Sequence, residues 1–117
     1  MMTSYIALDL ETTGLESKTE KITEAAALKV IDGTVRERFV TLINPGRPIS
    51  EKITQLTGIT DEMVRTAPLM ENVIGQLLAF CEGLPLLGHN ILFDYRFLKQ
   101  AAVNSRLECE FEAVDTP

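Results

Sequence analysis

Residues 21–43 read KITEAAALKVIDGTVRERFVTLI, and the fold class turns on how they alternate. Ile22, Ala26, Leu28 and Val30 fall on one face of an alternating pattern, with Lys21, Thr23 and Lys29 on the other. A period of two is that of a half-buried β-strand, so a strand is predicted over Lys21–Ile31 with its even residues toward the core. Asp32-Gly33 follows, and such a pair marks a two-residue hairpin turn because both central positions need positive φ. A strand over Val35–Ile43 then returns antiparallel to the first. Asn44-Pro45-Gly46-Arg47-Pro48 ends the run as a loop.

Upstream, Tyr5–Leu10 is a short strand that runs into the turn-like Thr12-Thr13-Gly14. Downstream, Ser50 is placed to cap a helix reaching Thr57, with Gly58 as its stop. Thr60, followed by Asp61 and Glu62, opens a short helical turn. A helix is predicted over Leu69–Cys81, a brief strand over Leu84–Leu87, and a helix over Ile91–Asn104 after Gly88-His89-Asn90. Three antiparallel strands followed by alternating helix and strand imply an α/β domain, a mixed sheet with helices packed on it. No repeat, linker or low-complexity stretch divides residues 1–117, so they form one domain or a piece of one.

Composition narrows the function classes. With 45% apolar residues the chain can bury a core. Cys81 and Cys109 are too few for a disulfide framework and match no metal-ligand spacing. No apolar run approaches the roughly 20 residues that span a bilayer. Met1-Met2-Thr3-Ser4 lacks the basic and apolar regions of an export signal. A soluble cytoplasmic protein with no membrane partner is the expectation. Eleven Lys and Arg against 17 Asp and Glu give a net charge of −6, which argues against a protein that coats nucleic acid by counterion release. A nuclease survives this test, because metal ions can supply the positive charge.

Three carboxylates carry the chemistry. Asp9 and Glu11 stand two apart in a strand and so project from the same face. Like charges at that range repel, and a divalent cation is the usual remedy; an acidic strand end leaning into solvent has the same pattern. Asp94 falls on the Phe97, Leu98 and Ala101 side of its helix, opposite Arg96, Lys99, Gln100 and Asn104. A carboxylate on a core-facing stripe needs a cation or a hydrogen-bond donor. Glu24 interrupts the apolar even face of the second strand, and a buried Glu tied to a neighbouring hydroxyl or backbone group is its expected state. His89 is the one histidine and lies at a strand-to-helix turn, where a structural hydrogen bond is the commoner role.

The order of these features brings a family into view. Asp9-Leu10-Glu11-Thr12-Thr13-Gly14 resembles the first motif of the DEDD-type (DnaQ-like) 3′–5′ exonucleases, the group that includes the DNA polymerase III epsilon subunit and PolC-type proofreading domains. Gly88-His89-Asn90-Ile91-Leu92-Phe93-Asp94 resembles their second motif, and Ile43-Asn44-Pro45 and Leu56-Thr57-Gly58-Ile59-Thr60 resemble the segments between. The resemblance implies a ribonuclease-H-like fold and two divalent cations, Mg²⁺ or Mn²⁺, held by Asp9, Glu11 and Asp94. It places Thr12, Thr13 and Gly14 at the terminal nucleotide, and Leu15 and Leu56 against the terminal base. Phe93 would stack near the penultimate base, with His89 and Asn90 along the sugar-phosphate. The implied activity is 3′–5′ trimming of single-stranded DNA ends in proofreading or repair, releasing nucleoside 5′-monophosphates, beside a DNA polymerase. An RNA-trimming member of the same family and a non-catalytic nucleic-acid-binding remnant are the alternatives. The family's third motif, with a general-base His and a fourth Asp, lies several dozen residues beyond the second, whereas this sequence stops at Asp115-Thr116-Pro117. An incomplete domain with a partly uncovered sheet is therefore expected, and exposed apolar area of that kind recruits a second copy.

Overall fold

A computed structural model describes residues 3–116; Met1, Met2 and Pro117, at which two of the readings above begin and end, lie outside them. Five strands form one sheet in the order β3-β2-β1-β4-β5. They are β1 (Tyr5–Thr12), β2 (Ile22–Ile31), β3 (Thr34–Leu42), β4 (Leu86–Gly88) and β5 (Ala113–Asp115). The first three pair antiparallel, while β4 and β5 add in parallel on the other side of β1. The sheet is therefore mixed, with β1 at its centre. The Asp32-Gly33 turn has φ of 50° and 79°, the positive values its residue types favour.

Helices α1 (Glu51–Thr57), α2 (Asp61–Val64), α3 (Ile74–Cys81) and α4 (Ile91–Asn104) complete the chain. Ser50 and Thr60 cap α1 and α2 through their hydroxyls, and Gly58 closes α1 at φ 79°. The main core joins Ile6, Leu8 and Leu10 of β1 to Ile74, Leu77 and Cys81 of α3 and to Ile91, Phe97 and Leu98 of α4. A smaller cluster of Ile49, Ile59 and Val64 anchors the α1–α2 segment.

Four sequence expectations are corrected. The central residues of β2 that face the core are the odd ones, Ala25 and Ala27, while Glu24, Ala26 and Leu28 are half-buried. Pairing decides this: Ala25 lies opposite Leu10 and Ala27 opposite Leu8, and directly opposed residues share a face. Between Glu11↔Glu24 and Thr12↔Ile22 the register slips by one, leaving Thr23 as a bulge that returns Ile22 to the core side. The predicted Leu69–Cys81 helix is divided into a 3₁₀ turn over Met70–Asn72 and α3: Leu69 is extended in a β-bridge with Asn44, and the Asn72 and Val73 N–H groups donate three residues back rather than four. The strand expected at Leu84–Leu87 begins at Leu86, and β5 is an addition to the predicted elements.

Candidate active site

The parallel neighbour β4 pairs with β1 only at Ile6 and Ala7. The Ile6 N–H donates across that side to the Pro85 carbonyl at 2.8 Å. Strand alternation turns the Leu10 N–H the same way, beyond the end of β4, where no strand can accept it. Asp94 fills the gap: its Oδ2 accepts from the Leu10 N–H at 3.4 Å. Its carboxylate thus arrives at the backbone of the residue between Asp9 and Glu11. Asp94 is 5% exposed, whereas Asp9 is exposed and Glu11 half-buried.

The turn that delivers Asp94 is tightly built. A Cβ on Gly88 would stand 2.7 Å from the Leu8 carbonyl oxygen, so only glycine lets β4 close on β1 there. Asn90 then takes the left-handed conformation at φ 52°, a region that Asn visits more readily than most residues. His89 and Asn90 are both exposed, and the structural hydrogen bond expected of His89 is not seen among the described residues.

Electrostatics ties the carboxylates together. Burial pushes the Asp94 carboxyl up to about 7; the Leu10 N–H opposes this, and the charges of Asp9 and Glu11 add to it. Glu11 is also raised, first by burial, then by Asp9 and Glu24. Glu24 lies directly opposite Glu11 in the β1–β2 pair, so it joins the acidic face. The sequence signal for this was its interruption of the apolar series. The hydroxyl or backbone tie expected of Glu24 is absent among the described residues.

The remaining predicted residues divide into two groups. Thr12 and Thr13 are buried, and their hydroxyls are used internally. Thr12 Oγ1 donates to the Gly14 carbonyl at 2.6 Å. Thr13 Oγ1 donates to Glu20 Oε1 at 2.7 Å and accepts from the Lys21 N–H at 2.9 Å. These bonds fix the loop that follows β1, of which Gly14 is part. Leu15 and Leu56, in contrast, are 86% and 72% exposed, an apolar presentation that packing within the chain does not explain. Phe93 is half-buried, its ring 5.0 Å from that of Phe97. A separate cleft of about 300 Å³ lies between α4 and the start of β2, lined by Lys21, Ile22, Phe97 and Gln100 among others, and by none of the three carboxylates.

Asp9, Glu11 and Asp94 are hard oxygen donors in one negative field, the chemistry that divalent Mg²⁺ or Mn²⁺ takes. Among the described residues, however, no three His, Cys, Asp or Glu side chains form a closed metal-holding group. The donor types fit such an ion; the closed cluster is not formed.

The chain is an α/β domain: a mixed sheet with an acidic end on its central strand and α3 and α4 packed on it. Residues 6–115 match the RNase_T family, described as exonuclease, and the chain belongs to that family. It is 40% identical over 112 residues to the DNA polymerase III PolC-type protein of Caldanaerobacter subterraneus subsp. tengcongensis, covering 96% of this chain and 8% of that protein. The PolC-type protein of Thermotoga petrophila is 41% identical over 96 residues, covering 82% of this chain and 7% of the relative. The chain thus spans under a tenth of the length of these relatives. Among solved structures, Exonuclease X in complex with 5′ overhanging duplex DNA aligns with a TM-score of 0.74 at 31% identity, over 95% of this chain and 58% of that one. Exonuclease I shares the fold with a TM-score of 0.83 at 15% identity, over 98% of this chain and 29% of that one. The ribonuclease-H-like architecture implied by the motifs is thereby shown. No helix among the described residues is long and apolar enough to cross a membrane.

Proposed function

We propose that this domain belongs to a metal-dependent 3′–5′ exonuclease acting on DNA ends and releasing nucleoside 5′-monophosphates. The observation that carries the reading is the seating of Asp94 on the Leu10 N–H, between Asp9 and Glu11, in a chain of an exonuclease family. Asp9, Glu11 and Asp94 would hold Mg²⁺ or Mn²⁺. Such ions supply the positive charge that phosphodiester hydrolysis requires at its attacking and leaving oxygens. They also answer the net charge of −6, which would otherwise repel a phosphate backbone.

The chain's own residues bind and orient the strand. Leu15 and Leu56 offer apolar surfaces on which a terminal base can pack. The exposed His89 and Asn90 stand at the turn that opens α4, and Phe93 and Asp94 lie in the first turn of that helix. Thr12, Thr13 and Gly14 hold the β1 loop and offer backbone groups to the terminal nucleotide. The PolC-type relatives favour DNA over RNA and a place beside a polymerase. The alternative, a nucleic-acid cleft without hydrolysis, draws on the absence of a closed ligand group among the described residues.

One assay separates these readings. Single-stranded DNA labelled at its 5′ end is incubated with the protein and Mn²⁺, with and without chelator. The exonuclease gives a ladder shortened from the 3′ end that chelator abolishes, and leaves circular DNA intact. Binding without shortening favours the non-catalytic cleft. Faster shortening of RNA than of DNA reverses the substrate assignment.

A further inference from the structure

The first residues of α4 lack the usual source of a cap. Asn90 stands at the N-cap position, but its left-handed backbone leaves the side chain with no capping hydrogen bond. The orphan N–H groups of the first turn therefore need a partner from elsewhere. Asp115 provides one: its Oδ1 accepts from the Ile91 N–H at 2.7 Å. It is set there by the sheet, since Asp115 pairs with Gly88 in the β4–β5 ladder. The Thr116 N–H also donates to the Gly88 carbonyl at 3.0 Å.

We propose that Asp115 is a positioning residue for the acidic site, capping α4 from the end of β5 and so holding Asp94 on β1. The consequence for Asn90 is direct. In an ordinary cap its side chain would be spent on the helix, whereas here it is free and exposed beside His89 to meet a nucleic-acid strand. A carboxylate at this helix end also gains from the dipole. Asp115 is itself exposed, so its replacement opens no cavity in the core. The functional half of this assignment rests on the exonuclease reading; the structural half does not.

The test uses Asp115→Ala and Asp115→Asn in the whole chain, with amide hydrogen exchange followed at Ile91 and Leu10. Loss of a cap costs enough to speed opening about fivefold to tenfold. Asp115→Ala is expected to accelerate exchange at Ile91 and also at Leu10, 84 residues away from Asp94 in sequence but bound to it. Asp115→Asn keeps an oxygen acceptor and is expected to restore both. Acceleration at Ile91 with Leu10 unchanged means a locally frayed helix and overturns the positioning role, as does an Asn variant as damaged as the Ala variant. These exchange readouts need neither metal nor activity, so they decide the matter even if the wild-type chain shows no nuclease activity. If it does, kcat with Mn²⁺ is expected to fall in Asp115→Ala and return in Asp115→Asn.

Discussion

Replacing Asp94 by Asn should stabilise the metal-free protein, and increasingly so as pH rises. Burial holds the folded Asp94 carboxyl at about 7, against an ordinary 3.8 in the unfolded chain. A raised carboxyl means that the folded state keeps a proton the unfolded state has already released. The associated stability is therefore complete below about pH 4 and is lost as pH climbs toward about 7. The interval corresponds to about 4 kcal/mol at 1.36 kcal/mol per tenfold in proton affinity. The neighbouring Asp9 is exposed and keeps water close to this buried group, and the effective dielectric there reduces the figure to about 2 kcal/mol. The amide of Asp94→Asn would carry no charge and still offer an oxygen to the Leu10 N–H. Between about pH 5.5 and 8.5 roughly half of the interval is crossed, so the variant's advantage should grow by about 1 kcal/mol. Urea unfolding in chelator at the two pH values measures it. An advantage that stays constant or shrinks with pH refutes the claim that a buried carboxylate is being forced to ionise. Adding Mn²⁺ should reverse the order at high pH, because only the wild type keeps all three carboxylates and gains binding energy.

Other outcomes follow from the same geometry. Leu15→Ala and Leu56→Ala should each weaken single-stranded DNA binding about tenfold while leaving the urea midpoint unchanged, since both side chains are mostly exposed. Gly88→Ala should cost about 1–3 kcal/mol in urea unfolding, because its Cβ meets the Leu8 carbonyl oxygen at 2.7 Å, a backbone atom that cannot turn aside. Thr23→Val should stabilise by up to about 1 kcal/mol, because the Thr23 hydroxyl is the one buried side-chain polar atom without a partner among the described residues; a loss of stability would mean that the hydroxyl has a hydrogen bond after all.

Local chemistry was the legible part of the fold. The Asp32-Gly33 turn and the caps at Ser50, Thr60 and Gly58 depend on a few neighbouring residues, and each appears where its residue types require. Asp94 was legible because a carboxylate among Phe97, Leu98 and Ala101 breaks a helical stripe. What was not legible depends on partners distant in sequence. The core face of β2 is set by its register against Leu8 and Leu10 and by the bulge at Thr23. The first residue of the predicted third helix, Leu69, is drawn into extended backbone by its bridge to Asn44. The three residues of β5 are too few to show a period and become a strand only beside β4. Asp115 offered no local signal either, since its bond to Ile91 exists only once the sheet is assembled.

The proposed chemistry requires Asp9, Glu11 and Asp94 to hold divalent cations together. Electron paramagnetic resonance of Mn²⁺ titrated into the wild type, Asp9→Asn, Glu11→Gln and Asp94→Asn measures this without any need for turnover. Saturable binding to the wild type is expected, weakened at least tenfold by each substitution with the fold intact by circular dichroism. Binding that survives all three substitutions unchanged, or a folded wild type that binds no Mn²⁺, would contradict the shared site.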